Sequence, residues 1–71
     1  MKYKKIRAKQ KLREILKERD ITQEGMAIDL QLSTTGVNKI VNGTGGSKFT
    51  GNLIANYLKV DYDEIFEIKE D

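Results

Sequence analysis

Polar side chains at positions 34, 35, 38, 39 and 42 recur at the spacing of one helical face, and they are the groups best placed to do chemistry. These residues are Thr34, Thr35, Asn38, Lys39 and Asn42. Their hydroxyl, amide and ammonium groups donate and accept hydrogen bonds. None of them is a strong nucleophile without an activating base beside it. We therefore expect this face to bind a polar partner.

The residue types that the chain lacks point the same way. The sequence contains no His and no Cys, so the commonest metal ligand and general base and the strongest nucleophile are missing. Carboxylates can still act in pairs, but Glu14 and Glu18 lie one helical turn apart among lysines, the spacing of solvated surface ion pairs. We predict that the protein is not an enzyme and has no metal, no cofactor and no small-molecule substrate.

Hydrophobic spacing predicts an all-α protein, a compact bundle of five short helices. The predicted helices cover about residues 7–19, 23–30 and 34–42, a fourth capped by Thr50, and a short fifth opened by a capping box at Asp61 and Glu64. Thr22 and Ser33 are predicted N-caps, and Gly43 is the predicted stop after the third helix. No regular alternation runs far enough to predict a strand.

Size and composition indicate one domain, residues 1–71, with no linker and no internal repeat. The sequence is 38% hydrophobic and 34% charged, which is typical of a globular chain rather than a disordered one. It has no apolar stretch near the roughly 20 residues that a membrane helix needs, and no secretory signal. We expect a cytoplasmic protein that does not bind membranes.

Charge is divided unevenly along the chain. Residues 1–19 contain nine bases and two acids, a net charge of +7, whereas residues 61–71 contain six acids and one base, a net charge of −5. A basic block of this kind favours phosphate or another anionic partner. We predict that residues 1–6 form a basic arm. The alternative is that Tyr3 and Ile6 extend the first helix and the charges face solvent.

Residues 22–43 predict a helix-turn-helix, two helices of about eight residues that meet at the turn 31–33. Ala27 is small where the second helix crosses the first, and Leu32 fills the angle between them. Val37 and Ile40 anchor the second helix and leave its polar face outward. A rigid helix with a polar outer face fits the major groove of B-DNA.

Here the chain resembles the Cro/C1 repressor family of helix-turn-helix domains, the XRE-type regulators, and especially the DNA-binding domains of lambdoid phage repressors. The resemblance extends from Leu12 to Phe66. It is carried by Thr22-Gln23-Glu24, Met26-Ala27, Leu30, Leu32-Ser33, Gly36-Val37, Ile40, Asn42-Gly43, Val60-Asp61 and Glu64-Ile65-Phe66. Gln31 departs from the pattern, because the family usually has Gly there with a positive φ. Gly25 should weaken the first helix of the motif by ~1 kcal/mol relative to Ala.

The resemblance implies a lambda repressor-like fold, double-stranded DNA as the partner, and a role for each matching polar residue. Gln23 and Asn42 would bind phosphate, and Gln23 would also brace the start of the recognition helix. Thr34 and Thr35 would reach bases or the adjoining phosphate, and Asn38 and Lys39 would read bases. Lys48 ends the glycine loop, residues 44–48, and is assigned to phosphate or to solvent. A lysine-rich arm of Lys2, Lys4, Lys5 and Arg7 would wrap the duplex.

The resulting hypothesis is a prokaryotic or phage repressor that binds a two-fold operator as a homodimer, with Phe66 and Ile68 at the dimer contact. Two alternatives remain open at this point. The same domain occurs in antitoxins of toxin–antitoxin pairs, and it also serves as a protein-interaction module in bridging coactivators. A basic amphipathic peptide on a membrane surface is disfavoured by the folded domain downstream.

Overall fold

The computed structural model describes residues 5–43 and 45–69, without the side chains of Lys5 and Lys69. Five helices and two short strands follow one another in these residues. In chain order they are β1 (Lys5–Ala8), α1 (Gln10–Glu18), α2 (Gln23–Leu30), α3 (Thr34–Val41), α4 (Lys48–Leu58), α5 (Tyr62–Ile65) and β2 (Phe66–Lys69). The predicted helical fold with its helix-turn-helix is confirmed, and a small sheet is added to it.

The sheet joins the two ends of the described chain. Strands β1 and β2 pair antiparallel, with Ile6 opposite Ile68 and Ala8 opposite Phe66. Ile6, Ala8 and Phe66 belong to the buried core. The prediction that the first helix begins near residue 7, extended by Ile6, is therefore wrong. Residues 6–8 lie in β1, which pairs with a strand about 60 positions away, and α1 begins only at Gln10.

Three buried residues on one side of α1 place this helix against the core: Leu12, Ile15 and Leu16. Two arginines, one within α1 and one at its C-cap, also donate hydrogen bonds to other helices. Arg13 Nη1 donates to the carbonyl oxygen of Val41 at 2.8 Å, at the last residue of α3. Arg19 Nη1 donates to the carbonyl oxygen of Leu58 at 2.5 Å, at the last residue of α4. Each guanidinium satisfies a terminal carbonyl and places a cation at the negative end of a helix.

Two predicted caps differ in the structure. Helix α4 is capped by Ser47, whose hydroxyl accepts from the Thr50 N–H at 3.2 Å, so the helix begins two residues before Thr50. The capping box at Asp61 does not form, since the Asp61 side chain makes no cap hydrogen bond. Helix α5 has only four residues, and Phe66 after it is the first residue of β2.

Candidate nucleic-acid interface

The helix-turn-helix is built from α2, a turn and α3, and both helices begin with the same cap. Thr22 Oγ1 accepts from the N–H of Gly25 at 2.9 Å, and Ser33 Oγ accepts from the N–H of Gly36 at 3.0 Å. Each cap satisfies a backbone donor that a helix start leaves without a partner. Ser33 performs this role alone, so the hydroxyl groups of the next two threonines are not used in capping.

The turn between the helices depends on Gln31, which adopts a left-handed conformation with φ 58° and ψ 39°. The positive φ expected at this position is confirmed. The N–H of the following residue, Leu32, donates to the carbonyl oxygen of Ala27 at 2.8 Å, which closes the end of α2. A left-handed residue ends the helix and redirects the chain, and it costs a residue with a Cβ more than it costs glycine.

Apolar packing holds α3 against α2. Ala27, Val37 and Ile40 are each at most 1% exposed, and Leu32 is partly buried against the same core. The small side chain of Ala27 lies in the core at the packed face of α2, as the sequence predicts. This packing fixes the buried side of α3. The exposed side of the helix is therefore held in a fixed orientation relative to the rest of the domain.

A second brace links α2 to α4. The hydroxyl of Tyr57 donates to Asp29 Oδ2 at 2.6 Å, between the C-terminal parts of the two helices. This hydrogen bond, with a smaller contribution from desolvation and the nearby negative charge, raises the pKa of Tyr57 above its usual value. The raised pKa extends to higher pH the range over which the phenol is protonated and donates this hydrogen bond between α2 and α4.

The first turns of α2 and α3 enclose a surface depression of about 430 Å³. Its lining consists of Thr22, Gln23, Glu24, Thr34 and Asn38. Three of the predicted contact residues are thus brought together here, although they lie up to 15 positions apart. Gln23 and Asn38 are half-buried and Thr34 is exposed, so their polar groups are both oriented by neighbours and accessible.

A second depression, of about 450 Å³, lies between α3 and the glycine loop. Lys39 lies on it with Ile40 and Leu32, and Gly46 and Thr50 form part of the opposite wall. Asn38 and Lys39, adjacent in sequence, therefore line different depressions. The apolar floor of this second depression has polar groups at its rim, an arrangement suited to a base edge that carries a methyl group.

The remaining predicted contacts lie around these two depressions without lining them. Thr35 is exposed on the first turn of α3, and Asn42 is exposed at the C-cap of the same helix. Lys48 is the exposed first residue of α4, and its ammonium lies 5.9 Å from the centroid of the Tyr62 ring. A cation over an aromatic face is stabilised by the ring quadrupole, so Tyr62 positions this charge beside the glycine loop.

The predicted arm lies mostly outside the described residues. Lys2 and Lys4 are not described, and Lys5 is described only as the first backbone position of β1. Arg7 belongs to the sheet, where its Nε donates to Glu67 Oε1 at 2.7 Å and Nη2 contacts the same oxygen. The suggestion that Arg7 joins a wrapping arm is therefore wrong, since its guanidinium is held by a carboxylate of the neighbouring strand.

Sequence reasoning missed two residues that line the depressions. Glu24 faces the same depression as Asn38, and Thr50 faces the same depression as Lys39. A carboxylate among DNA contacts repels phosphate, but it accepts a hydrogen bond from the N4 amino group of cytosine. The adjacency of Glu24 to Gln23 was a signal for it. Thr50 gave none, because its position depends on how the glycine loop folds back.

No group of three or more acidic residues in the described part of the chain is arranged to hold a metal ion. No helix in the ranges 5–43 and 45–69 is long and apolar enough to cross a membrane. The site presents a row of hydrogen-bonding side chains on a fixed helix, and the ~12 Å wide major groove of B-DNA admits an α-helix.

Comparison with known proteins gives a family and a fold. The family model described as the Cro/C1-type HTH DNA-binding domain matches residues 11–71. A crystal structure of the transcriptional regulator VanUg (Form II) superposes with a TM-score of 0.72 at 21% sequence identity, covering 100% of this chain and 96% of that chain. No curated protein sequence matches the chain. At this identity the structural likeness speaks for the fold, whereas the family match covers most of the sequence. The chain belongs to the family of Cro/C1-type helix-turn-helix DNA-binding domains.

Proposed function

We propose that this protein is a sequence-specific transcriptional regulator, a repressor, that inserts α3 into the major groove of double-stranded DNA. The observation that carries the proposal is the polar depression between the first turns of α2 and α3, on a helix whose other side is fixed in the core. A solved protein with a similar fold, VanUg, is described as a transcriptional regulator, which agrees with this role. The protein would act on DNA by occupying it, without catalysing a reaction, in the cytoplasm.

The base contacts are assigned to α3. Asn38 presents an amide that can pair with adenine N6 and N7, and Lys39 presents an ammonium that can donate to guanine O6 and N7. Thr34 and Thr35 supply hydroxyls for bases or the adjoining phosphate, and their methyl groups can contact thymine. Glu24 is an additional candidate, for cytosine.

The phosphate contacts are assigned to the rim of the same face. Gln23 at the start of α2 would bond a phosphate and orient Thr34 across the depression that both of them line. Asn42 and Lys48 flank the glycine loop and would hold the backbone after α3. Lys2, Lys4 and Lys5 would add further phosphate contacts. Such contacts set the register of the protein on the duplex, and the base contacts set the sequence.

A homodimer on a two-fold operator is proposed because the DNA-contacting surface of one copy is small. One helix contacts only a few base pairs, and a second copy on the next major groove, about 34 Å away, doubles the site that is read. The predicted dimer contact needs one correction. Phe66 is 1% exposed and belongs to the core of its own chain, so of the two residues named only Ile68, 46% exposed, is open to a partner.

Selection of bound duplexes from a random pool tests the proposal. We expect one enriched motif with two-fold symmetry and half-sites about one helical turn apart. The variant Asn56→Ala, on the exposed side of α4, should select the same motif, whereas Asn38→Ala should lose preference at one position of each half-site. Placing the motif across a promoter should reduce transcription when the protein is present. Enrichment of no motif would contradict sequence-specific binding.

A further inference from the structure

The depression between α3 and the glycine loop brings apolar side chains to the DNA-facing side of the proposed site. Two of them, Ile40 and Leu32, form part of its lining. Ile40 belongs to the buried core, and Leu32 packs against that core. Gly36 on α3 and Gly46 in the loop line the depression without a side chain, which keeps it open. Lys39, a proposed base contact, lies on the same depression.

Both walls of this depression are held in place within the free chain. The α3 wall is fixed by its packing on the core. The loop wall is tied to β1, because the N–H of Ile6 donates to the carbonyl oxygen of Gly46 at 3.3 Å. The loop also lies directly on α3, since a Cβ at Gly46 would lie 2.7 Å from Ile40 Cγ1 and 2.8 Å from Ile40 Cδ1. Glycine alone permits this approach, so the depression is formed before a partner binds.

The two hydroxyl groups that line the depression already take part in helix caps. Ser33 Oγ accepts from the N–H of Gly36 at 3.0 Å. The hydroxyl oxygens of Thr50 and Ser47 lie 3.1 Å apart, at hydrogen-bond distance, and Ser47 Oγ also accepts from the Thr50 N–H at 3.2 Å. What these walls offer to a partner is therefore mainly apolar contact. Such contact suits an alkyl group better than a phosphate or a sugar hydroxyl, which would lose hydrogen bonds to water there.

We propose that this depression binds the C5 methyl group of a pyrimidine base in the major groove. The inference deepens the proposed function and rests on it, because base edges reach the depression only when α3 lies in the groove. Among the four bases, only thymine carries an apolar group on its major-groove edge. Cytosine acquires the same group when it is methylated at C5. The ligand is thus the methyl group, and thymine and 5-methylcytosine are its two sources.

The size and salt dependence of the effect follow from this chemistry. Burying one methyl group changes affinity by about fourfold, so two half-sites together give about 15-fold. A methyl contact releases no counterion from the duplex, whereas a phosphate contact does. The factor should therefore be the same at low and at high salt.

Changes to single methyl groups of the DNA test the inference on the full chain. In the motif enriched from random duplexes, each thymine is replaced in turn by deoxyuridine in both half-sites, which removes the methyl group and keeps the pairing with adenine. We expect one position at which affinity falls by about 15-fold at every salt concentration. Cytosine at this position, with and without a C5 methyl group, is the second arm, and methylation should raise affinity by a similar factor. A methyl effect in the thymine arm alone would assign thymine as the source.

Variants at Thr50 assign the methyl effect to this depression. Thr50→Leu keeps the backbone N–H that Ser47 caps and places a larger side chain on the wall, so the ratio of affinities for thymine and uracil duplexes should fall towards one. Thr50→Val keeps the shape of the side chain and should keep the ratio. Asn38→Ala, in the other depression, should weaken binding and also keep the ratio at this position. If Thr50→Leu is unfolded or binds no duplex, Thr50→Ser, which removes only a methyl group from the wall, should lower the ratio.

An enriched motif that binds equally well with and without the methyl group at every thymine and cytosine would overturn the inference and leave the proposed function standing. A methyl effect that persists unchanged in both Thr50→Leu and Thr50→Ser would also overturn it, because the methyl group would then lie elsewhere. Enrichment of no motif would reject the proposed function, and the inference with it.

Discussion

At the scale of single residues, Asn38 and Lys39 show how neighbours in sequence come to line different depressions. Asn38 lies in the depression shared with Gln23, and Lys39 lies in the depression shared with Thr50. Each side chain is therefore expected to meet a different base pair. The helical spacing predicted that both lie on the outer side of α3, but their separation into two depressions depends on the turn and on the glycine loop.

We predict that Asn38→Ala and Lys39→Ala each relax preference at one base position per half-site, and at different positions. A good base contact contributes ~1–3 kcal/mol of discrimination, so each variant should lose about that much there while its melting temperature hardly changes. Binding to a set of duplexes with single base changes measures the effect. The matched controls are Asn56→Ala and Lys17→Ala, at exposed positions of α4 and α1. Unchanged base preferences in both variants would remove α3 as the reader.

Gln31 gives a prediction on stability. Its φ of 58° is costly for a residue with a Cβ, and Gly relieves ~1–2 kcal/mol of that strain while adding ~0.4–1 kcal/mol of unfolded-state entropy. Gln31→Gly should therefore raise the free energy of unfolding by about 0.5–1 kcal/mol, which thermal denaturation measures as roughly 2–8 °C. Lys59→Gly, at the same φ, should behave alike. Asn42→Gly, at φ −80°, should lower stability, and a similar gain there would reject backbone strain as the cause.

At the scale of elements, the sequence predicted the helices, because their hydrophobic spacing is visible over a short stretch of chain. Helices α2 and α3, their caps at Thr22 and Ser33, and the left-handed Gly43 after α3 agree with expectation. The strands were not predictable in the same way. Each has four residues, too few for alternation to be recognised, and each exists only because it pairs with the other across about 60 positions.

The close packing of that sheet on α4 depends on Gly51. A Cβ at this position would lie 2.6 Å from Ile6 Cδ1 and 2.9 Å from Tyr62 Cε2. Overpacking costs ~1–3 kcal/mol and the better helix propensity of Ala returns ~1 kcal/mol, so we predict that Gly51→Ala lowers the free energy of unfolding by up to about 2 kcal/mol. Denaturant unfolding measures it. Asn52→Ala, one position along and exposed, should be neutral or stabilising. A stabilised Gly51→Ala would mean that the sheet does not pack tightly on α4.

At the scale of the whole molecule, the two charged ends predicted from sequence meet. Residues 5–8 of the basic segment and residues 66–69 of the acidic segment are joined by the antiparallel pairing of β1 with β2, and Arg7 contacts Glu67 across it. Lys9, Arg13 and Arg19 also donate to carbonyl oxygens within the chain. Part of the basic block therefore stabilises the fold, which the net charge alone could not reveal. Of this basic block, Lys2 and Lys4, which precede β1, and Lys5 stay proposed phosphate contacts.

We predict that replacing Lys2 and Lys4 by Gln weakens DNA binding at low salt and flattens its salt dependence. Each phosphate contact that is lost should reduce the slope of log K against log salt by about 0.9. Base preference should not change, because phosphate contacts carry no sequence information directly. Titrations over a range of salt concentrations measure the slope. The double variant Lys11→Gln and Lys17→Gln, on the exposed side of α1, controls for net charge. Equal slopes for the two double variants would reject an arm on the duplex.

The central claim, that the outer side of α3 reads DNA sequence, is tested most directly by one ratio. This is the affinity for the selected duplex divided by the affinity for unrelated duplex, at one fixed salt concentration. Wild type should reach a ratio of about 10³ or more. The triple variant Thr34→Ala, Asn38→Ala and Lys39→Ala should approach a ratio of one while it remains folded and keeps its non-specific binding. The triple variant Lys17→Ala, Asn52→Ala and Asn56→Ala, with the same change of charge, should keep the wild-type ratio. A folded α3 variant that still discriminated as wild type does would contradict the account.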